Sequence, residues 1–246
     1  MPDSFILLVA SAVVGSLIGA VGVGGVLLIP ALVAFAGVTP HQASATALFT
    51  FIFTGLLGTL LFQRQGSIDW RQTAAVCVGA VAFSYVGAIA SARVGETALV
   101  RVIAALIIFA GAYVFFPLAK SEGGARSESR FPLLLVIGAA SGFGSGFSGA
   151  GGPLFSVPLM LVSGFPPLLA IGTSQVLQIF SAASGTLANL KYGDIQWALA
   201  ASITAGELVG VFAGVKFAHA VSANALRKGT GLLCLCVGIW MLLQTI

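Results

Sequence analysis

The chain has 246 residues, a formal net charge of +4, 58% hydrophobic residues and only 7% charged ones. Its mean hydropathy is +1.08. Soluble domains carry about 25% charged residues, so a water-facing surface cannot be assembled here and lipid must be the solvent for most of it. The basic residues are scattered singly between apolar segments rather than gathered with aromatics. That excludes a nucleic-acid surface and leaves Lys and Arg as markers of topology. Cys77, Cys234 and Cys236 sit in apolar stretches without zinc or redox spacing and read as small packing residues. No phosphate-binding loop for ATP and no cofactor motif is present.

The start, MPDSFILLVASAVVG, carries Asp3 instead of the basic region of a signal peptide and is predicted to be a retained membrane segment. Apolar spans are predicted over 5–38, 41–62, 70–92, 98–119, 131–165, 168–190, 197–218 and 229–246, eight in all. Trp70 and Trp197 open two of them as interfacial aromatics do. The polar stretch 120–130, KSEGGARSESR, reads as a linker between a first repeat at 1–119 and a second at 131–246. The spans 5–38 and 131–165 are too long. A straight helix of 34 residues measures about 51 Å, against a hydrocarbon core of about 30 Å. Each is interrupted by a glycine cluster followed by proline, so each is predicted to be broken or re-entrant.

The two halves repeat one another. GVGGVLLIP from Gly22 to Pro30 matches GAGGPLFSVP from Gly149 to Pro158, and the turn GSIDW from Gly66 to Trp70 matches GDIQW from Gly193 to Trp197. A constant spacing of 127 residues pairs Gly19 with Gly146, Gly24 with Gly151, Gly25 with Gly152, Thr46 with Thr173, and Gly58 with Gly185. The Pro30 and Pro158 pair is one residue out of step, which places a local insertion in the second copy. Internal repeats with paired, glycine- or proline-interrupted segments are the usual build of secondary transporters, with the site at the breaks. The competing reading is that the glycines only permit close helix packing.

Charge decides between topologies. If all eight segments cross, the basic residues divide six against five. If each long segment returns to its own side, one face collects Arg64, Arg71, Lys120, Arg126, Arg130, Lys216, Arg227 and Lys228, and the other keeps Arg93, Arg101 and Lys191. The positive-inside rule prefers eight against three. Each half then crosses three times, the halves are inverted, and both termini lie outside.

The glycine-rich first segment, the proline-started PHQASATALFTFIFTGLLGTLLF, its counterpart PPLLAIGTSQVLQIFSAASGTLANL, and the paired GSIDW and GDIQW turns resemble the sulfite exporter TauE/SafE family over nearly the whole chain. The resemblance implies a multi-pass inner-membrane protein moving sulfite, sulfonates and related small anions. One departure stands out: the second copy has Gly151-Gly152-Pro153 where the first has Gly24-Gly25-Val26, so the two half-sites need not be equivalent.

The breaks themselves suit an anion. A helix restarting after Gly24-Gly25 or Gly151-Gly152 exposes unpaired N–H groups at the positive end of its dipole, and Pro153 suits a first turn. The predicted substrate site therefore comprises Gly22, Gly24, Gly25 and Thr46 from the first copy. From the second copy it comprises Ser148, Gly149, Gly151, Gly152, Thr173, Ser174, Gln175 and Gln178. For each hydroxyl the alternative is a bond to its own helix backbone. Glu207, the one carboxylate deep in an apolar span, is a candidate for a coupling ion. The alternative for it is an ion pair with Lys216 or Lys191, and the first copy has Ala80 at its place. Gly146-Phe147-Ser148-Gly149 also fits the GxSG of an intramembrane serine protease, which needs a histidine such as His219. The first copy repeats these glycines with Val21 for the serine, so the repeat already accounts for them.

The expectation is an all-α, inverted-repeat secondary transporter that exports small sulfur oxyanions across the cytoplasmic membrane on an ion gradient, and not an enzyme. A passive anion channel or a non-transporting assembly subunit are the alternatives. The partners are a small anionic substrate and the lipid bilayer, and self-association into a homo-oligomer stays open.

Overall fold

The computed structural model describes residues 2–22, 24–113, 131–217, 232 and 235–243. The linker 120–130, the ends of the expected spans 98–119 and 229–246, and His219 lie outside the described residues. Nine α-helices are found among the described residues: α1 (Pro2–Val21), α2 (Leu28–Ala36), α3 (Pro40–Arg64), α4 (Trp70–Ala92), α5 (Glu96–Tyr113), α6 (Phe131–Ser148), α7 (Pro153–Val162), α8 (Pro167–Tyr192) and α9 (Trp197–Phe217). A further helical stretch covers 235–243. Five of these elements are long and apolar enough to cross a membrane: Pro40–Arg64, Trp70–Ala92, Phe131–Ser148, Leu168–Tyr192 and Trp197–Lys216. Large apolar side chains stand outward on them, Val78 at 66% exposure and Val209 at 69%, as lipid contact requires.

The helix starts follow local chemistry. Thr39 caps α3 through a reciprocal pair: its hydroxyl accepts the Gln42 N–H and the Gln42 side chain accepts the Thr39 N–H, with Pro40 in the first turn. Asp69 caps α4 by accepting from the N–H groups of Arg71 and Gln72. Both overlong segments are broken, as expected. In the first, a 3-10 turn at Gly25–Leu27 precedes α2. In the second, α7 starts directly at Pro153 and contains Pro158.

Glycine sets the packing. A Cβ on Gly15 would strike the carbonyl of Glu207, and one on Gly142 would strike the carbonyl of Ala80. Gly19 meets Val211 while Gly146 meets Ser84; Gly206 meets Leu8 while Gly79 meets Leu135; Gly214 meets Ser16 while Gly87 meets Phe143. In all four cases the second contact is the first with every residue moved by 127 and the halves exchanged. The first helix of each half is thus locked against the third helix-forming segment of the other, α1 on α9 and α6 on α4. In lipid, helices gain nothing from burying apolar surface against each other, so such backbone-to-backbone approach supplies the attraction.

The same contacts give directions. α1 and α9 ascend together, from Leu8 beside Gly206 to Ser16 beside Gly214. Thr46 bonds the Gln196 N–H just before α9, Phe49 packs on Trp197 at its start at 5.2 Å between ring centroids, and Thr50 stands beside Glu207 further along, so α3 runs with α9. α3 and α8 are antiparallel, since Gly58 meets Gln175 and Gly185 meets Leu48. α1 and α3 therefore point the same way, and the chain returns between them through α2, which is 9 residues long. α6 and α8 both run with α4, and the 10-residue α7 makes the corresponding return. Neither short helix approaches the roughly 20 residues a crossing needs.

Because Gly15 and Gly142 occupy equivalent contacts against main-chain atoms that no rotamer change can clear, Gly15→Val and Gly142→Val should each destabilise the folded protein by on the order of 3 kcal/mol. Gly95, with open space around its Cβ position, should accept alanine with its thermal midpoint near that of the wild type. Thermal unfolding of the purified variants measures both.

Candidate functional site

The two breaks meet. A Cβ on Gly25 would lie 3.1 Å from the carbonyl oxygen of Ala150 and 2.8 Å from the Phe51 ring, and one on Gly151 would lie 3.3 Å from the same ring. Phe51, fully buried in α3, is the wedge between them. Its counterpart 127 residues on is Gln178, whose Nε2 donates to the Phe51 carbonyl at 3.2 Å and to Thr54 Oγ1 at 2.8 Å. A phenylalanine in one half and a glutamine in the other therefore occupy equivalent places, and the amide holds the phenylalanine's main chain.

The second break is the polar one. Gly149 and Gly151 take φ of +70° and +87°, angles costly for any side-chain-bearing residue. They turn the chain out of α6 and into α7. Ser148 donates to the Gly144 carbonyl at 2.7 Å and accepts the Ala150 N–H at 3.2 Å. Among the described residues the N–H groups of Gly151, Gly152 and Leu154 have no hydrogen-bond partner. Five serines around them, Ser145, Ser148, Ser156, Ser174 and Ser181, are all 0% exposed. Ser174 donates to its own helix at the Ala170 carbonyl, so Ser156 donates to Ser174 at 2.7 Å. Ser145 reaches Ser181 at 3.4 Å. The residues 127 positions earlier are Ile18, Val21, Ile29, Ala47 and Thr54, so the first break is lined mainly by hydrocarbon. Sequence reading missed Ser145, Ser156 and Ser181. Setting the copies side by side for polarity, rather than for identity, finds all three.

The other predicted residues fall in different places. Gly22, φ +81°, lies against the side chains of Ile171 and Val157, and a Cβ on Gly24 would press on Leu17 and the backbone of α1. Gly152 faces Leu177 and Ser181. Thr46 accepts the Gln196 N–H at 3.0 Å and Thr173 bonds Thr73 at 3.1 Å. Those two equivalent threonines tie the GDIQW turn and the start of α4 to the neighbouring helices, away from the breaks. Gln175 reaches the Ile18 carbonyl at 3.5 Å, while its Oε1 is buried with no partner. Glu207 is 0% exposed on α9, and neither carboxyl oxygen has a hydrogen-bond partner. The ion-pair alternative is not what the structure forms: Lys216 lies over the Phe212 ring and Lys191 over the Tyr192 ring. Among the described residues no three His, Cys, Asp or Glu side chains gather to hold a metal.

A polar cavity of about 370 Å³ leads toward the second break, lined by Thr39, His41, Gln42, Ser44, Asn189 and Asp194 with Gly146 at its inner end. Ser44 closes it by donating to the Ser148 carbonyl at 3.1 Å. Asp194, at the rim, already accepts from Gln42 at 2.7 Å and Gln196 at 3.1 Å. At the opposite end of α8, Gly172 packs on the Ser67 carbonyl, where a Cβ would come within 2.7 Å.

The sequence was compared with known proteins. A profile described as "Sulfite exporter TauE/SafE" matches residues 7–242. The chain is 26% identical over 239 residues to "Probable membrane transporter protein YunE" of Bacillus subtilis, covering 84% of this chain and 86% of the relative. It is 23% identical over 244 residues to the similarly named YdhB of the same organism, covering 96% and 99%. It is 26% identical over 216 residues to the similarly named YfcA of Escherichia coli, covering 84% and 77%. No solved structure matches. A glycine-broken, twice-repeated membrane bundle matched over nearly its whole length by this profile places the chain in the sulfite exporter TauE/SafE family.

Proposed function

We propose that this multi-pass membrane protein is a secondary transporter that exports small sulfur oxyanions, sulfite or sulfonates, across the cytoplasmic membrane on an ion gradient. One observation carries the reading: two helix breaks at equivalent sequence positions touch around Phe51, and one of them presents free N–H groups amid buried serines. Main-chain donors at a helix start bind oxyanions without a fixed positive charge, and water-excluded donors bind them more strongly than exposed ones. The family supports the sulfur oxyanion as cargo.

The halves are inverted repeats. In support, exchanged contacts recur at 127 residues, α3 and α8 are antiparallel counterparts, and the chain returns through α2 and α7. A two-fold axis that relates antiparallel spanning helices lies in the membrane plane. The cavity opens on the face holding Arg93 and Lys191, the side poorer in basic residues, which the positive-inside rule assigns to the exterior. The opposite face, where Gly172 packs on Ser67, is closed. The conformation is thus outward-facing, and the inward-facing one follows by exchanging the roles of the halves. A carrier of this kind gives saturable counterflow, whereas a channel gives single-channel currents.

In a background without native cysteines, a membrane-impermeant thiol reagent applied to whole cells should label Gly95→Cys and leave Gly66→Cys untouched. The reverse pattern contradicts the orientation. Sulfite at about 100 times its Kd should stabilise the purified protein by about 2.7 kcal/mol. Ser148→Ala and Gly151→Ala should fold and lose most of that stabilisation, because one removes the hydroxyl that anchors the turn through the Ala150 N–H and the other distorts the turn. Ligand-induced thermal shifts in these variants equal to the wild type's would place the anion elsewhere.

A further inference from the structure

Glu207 has no counterpart in the first half, where Ala80 takes its place. Its α9 is held against α1 through Gly15 and lies alongside α3. The Thr50 hydroxyl stands beside its carboxyl, and Ser11 of α1 abuts the preceding Gly206. Glu207, Thr50 and Ser11 are each 0% exposed. At the equivalent interface the three positions are Ala80, Leu177 and Gly138. With no polar side chain at those three positions, that interface still closes through the same glycine contacts, so the acid is not needed for packing.

The surrounding hydrogen bonds leave one role open. Thr50 has committed its proton to the Ala47 carbonyl at 2.9 Å, and Ser11 has committed its own to the Leu8 carbonyl at 2.8 Å. In that arrangement both hydroxyls present lone pairs to a neighbour. No charged residue lies in α1 from Ile6 to Ala20; α3 carries His41 and Arg64 at its two ends; and Lys216 of α9 is exposed and engaged with Phe212. A carboxylate in this place would be a buried charge with no counter-ion among the described residues of α1, α3 and α9, which is among the most costly arrangements in a protein. A carboxylic acid has the one proton that the neighbouring lone pairs lack. A bare metal cation would need several oxygen ligands at once, and only this carboxyl and two hydroxyls are at hand.

We infer that Glu207 is a proton-binding site closed in the outward-facing conformation, and that releasing its proton requires α1, α3 and α9 to part and admit water. The site adjoins the substrate path through α3: Thr50 beside the acid is followed by Phe51, the wedge between the two breaks. Proton occupancy and the position of that wedge are thereby linked, since any state that favours the charged acid must also be one in which these helices have moved. The coupling to cargo rests on the transport reading above, but the proton site does not.

Infrared difference spectroscopy of the protein in liposomes tests the site without any substrate. The wild type should show the C=O stretch of a protonated, water-excluded carboxylic acid, and that band should be absent from Glu207→Gln and from Glu207→Ala. The alanine variant copies Ala80 of the other half and should therefore fold. The band should fade as pH is raised, together with increased labelling of Ser11→Cys. A wild-type spectrum without this band, or a band unchanged in both variants, overturns the proposal. Labelled-sulfite flux is read separately: wild-type protein with the band but no flux refutes the transport reading, and flux without the band refutes the proton site.

Discussion

Where two helices touch through glycine, nothing stands between one main chain and the next, and most of this structure depends on that contact. Gly15 on Glu207, Gly142 on Ala80 and their companions hold the first helix of each half against the other half. Lipid offers no hydrophobic drive to pull helices together. Close backbone approach is therefore what keeps α1 on α9 and α6 on α4, and each glycine is needed because there is no room for a Cβ. The exchange has a consequence for the site. A half that packs mainly within itself would keep its break to itself. A half whose leading helix is bound to its partner carries the break to the centre, where Gly25 meets Ala150.

The breaks are tolerated for the same reason. A chain that leaves a helix in lipid strands N–H and C=O groups at several kcal/mol each. Here those groups are enclosed by protein and by serine hydroxyls. The ones without a protein partner among the described residues, at Gly151, Gly152 and Leu154, lie within four residues of one another at the start of α7. Asymmetry between the copies then divides the work. Polar residues fill the second break, a phenyl ring closes the first, and a single acid occupies only the α1–α3–α9 interface. The backbone contacts recur between the halves while the side chains at the breaks and at the α1–α9 contact do not.

Much of this was legible in the sequence. The 127-residue spacing, the overlong segments, the paired turns and the isolated Glu207 are all visible as letters, because each is a local pattern. The identity of the close-packed partners was not. Gly79 and Gly87 pack on the Leu135 and Phe143 carbonyls of α6, and only the third dimension reveals which carbonyl each one meets. Thr46 and Thr173 looked like ligands because they are polar and repeated; they are repeated because both halves need the same tether between turn and helix. Ser145, Ser156 and Ser181 escaped notice because a serine inside a helix is usually explained by its own backbone. Phe51 escaped it because an aromatic in an apolar run carries no signal of being a wedge.

The most direct test of the account locates the anion itself. Selenite has the charge and shape of sulfite and a heavier central atom that scatters X-rays anomalously, so crystals of the protein grown with selenite would show where an oxyanion rests. The account predicts an anomalous peak within hydrogen-bond reach of the Gly151 and Gly152 N–H groups, between the end of α6 and the start of α7 and enclosed by Ser148 and Ser181. A peak confined to the outer cavity around His41 and Asn189, with the break empty at saturating selenite, would contradict it.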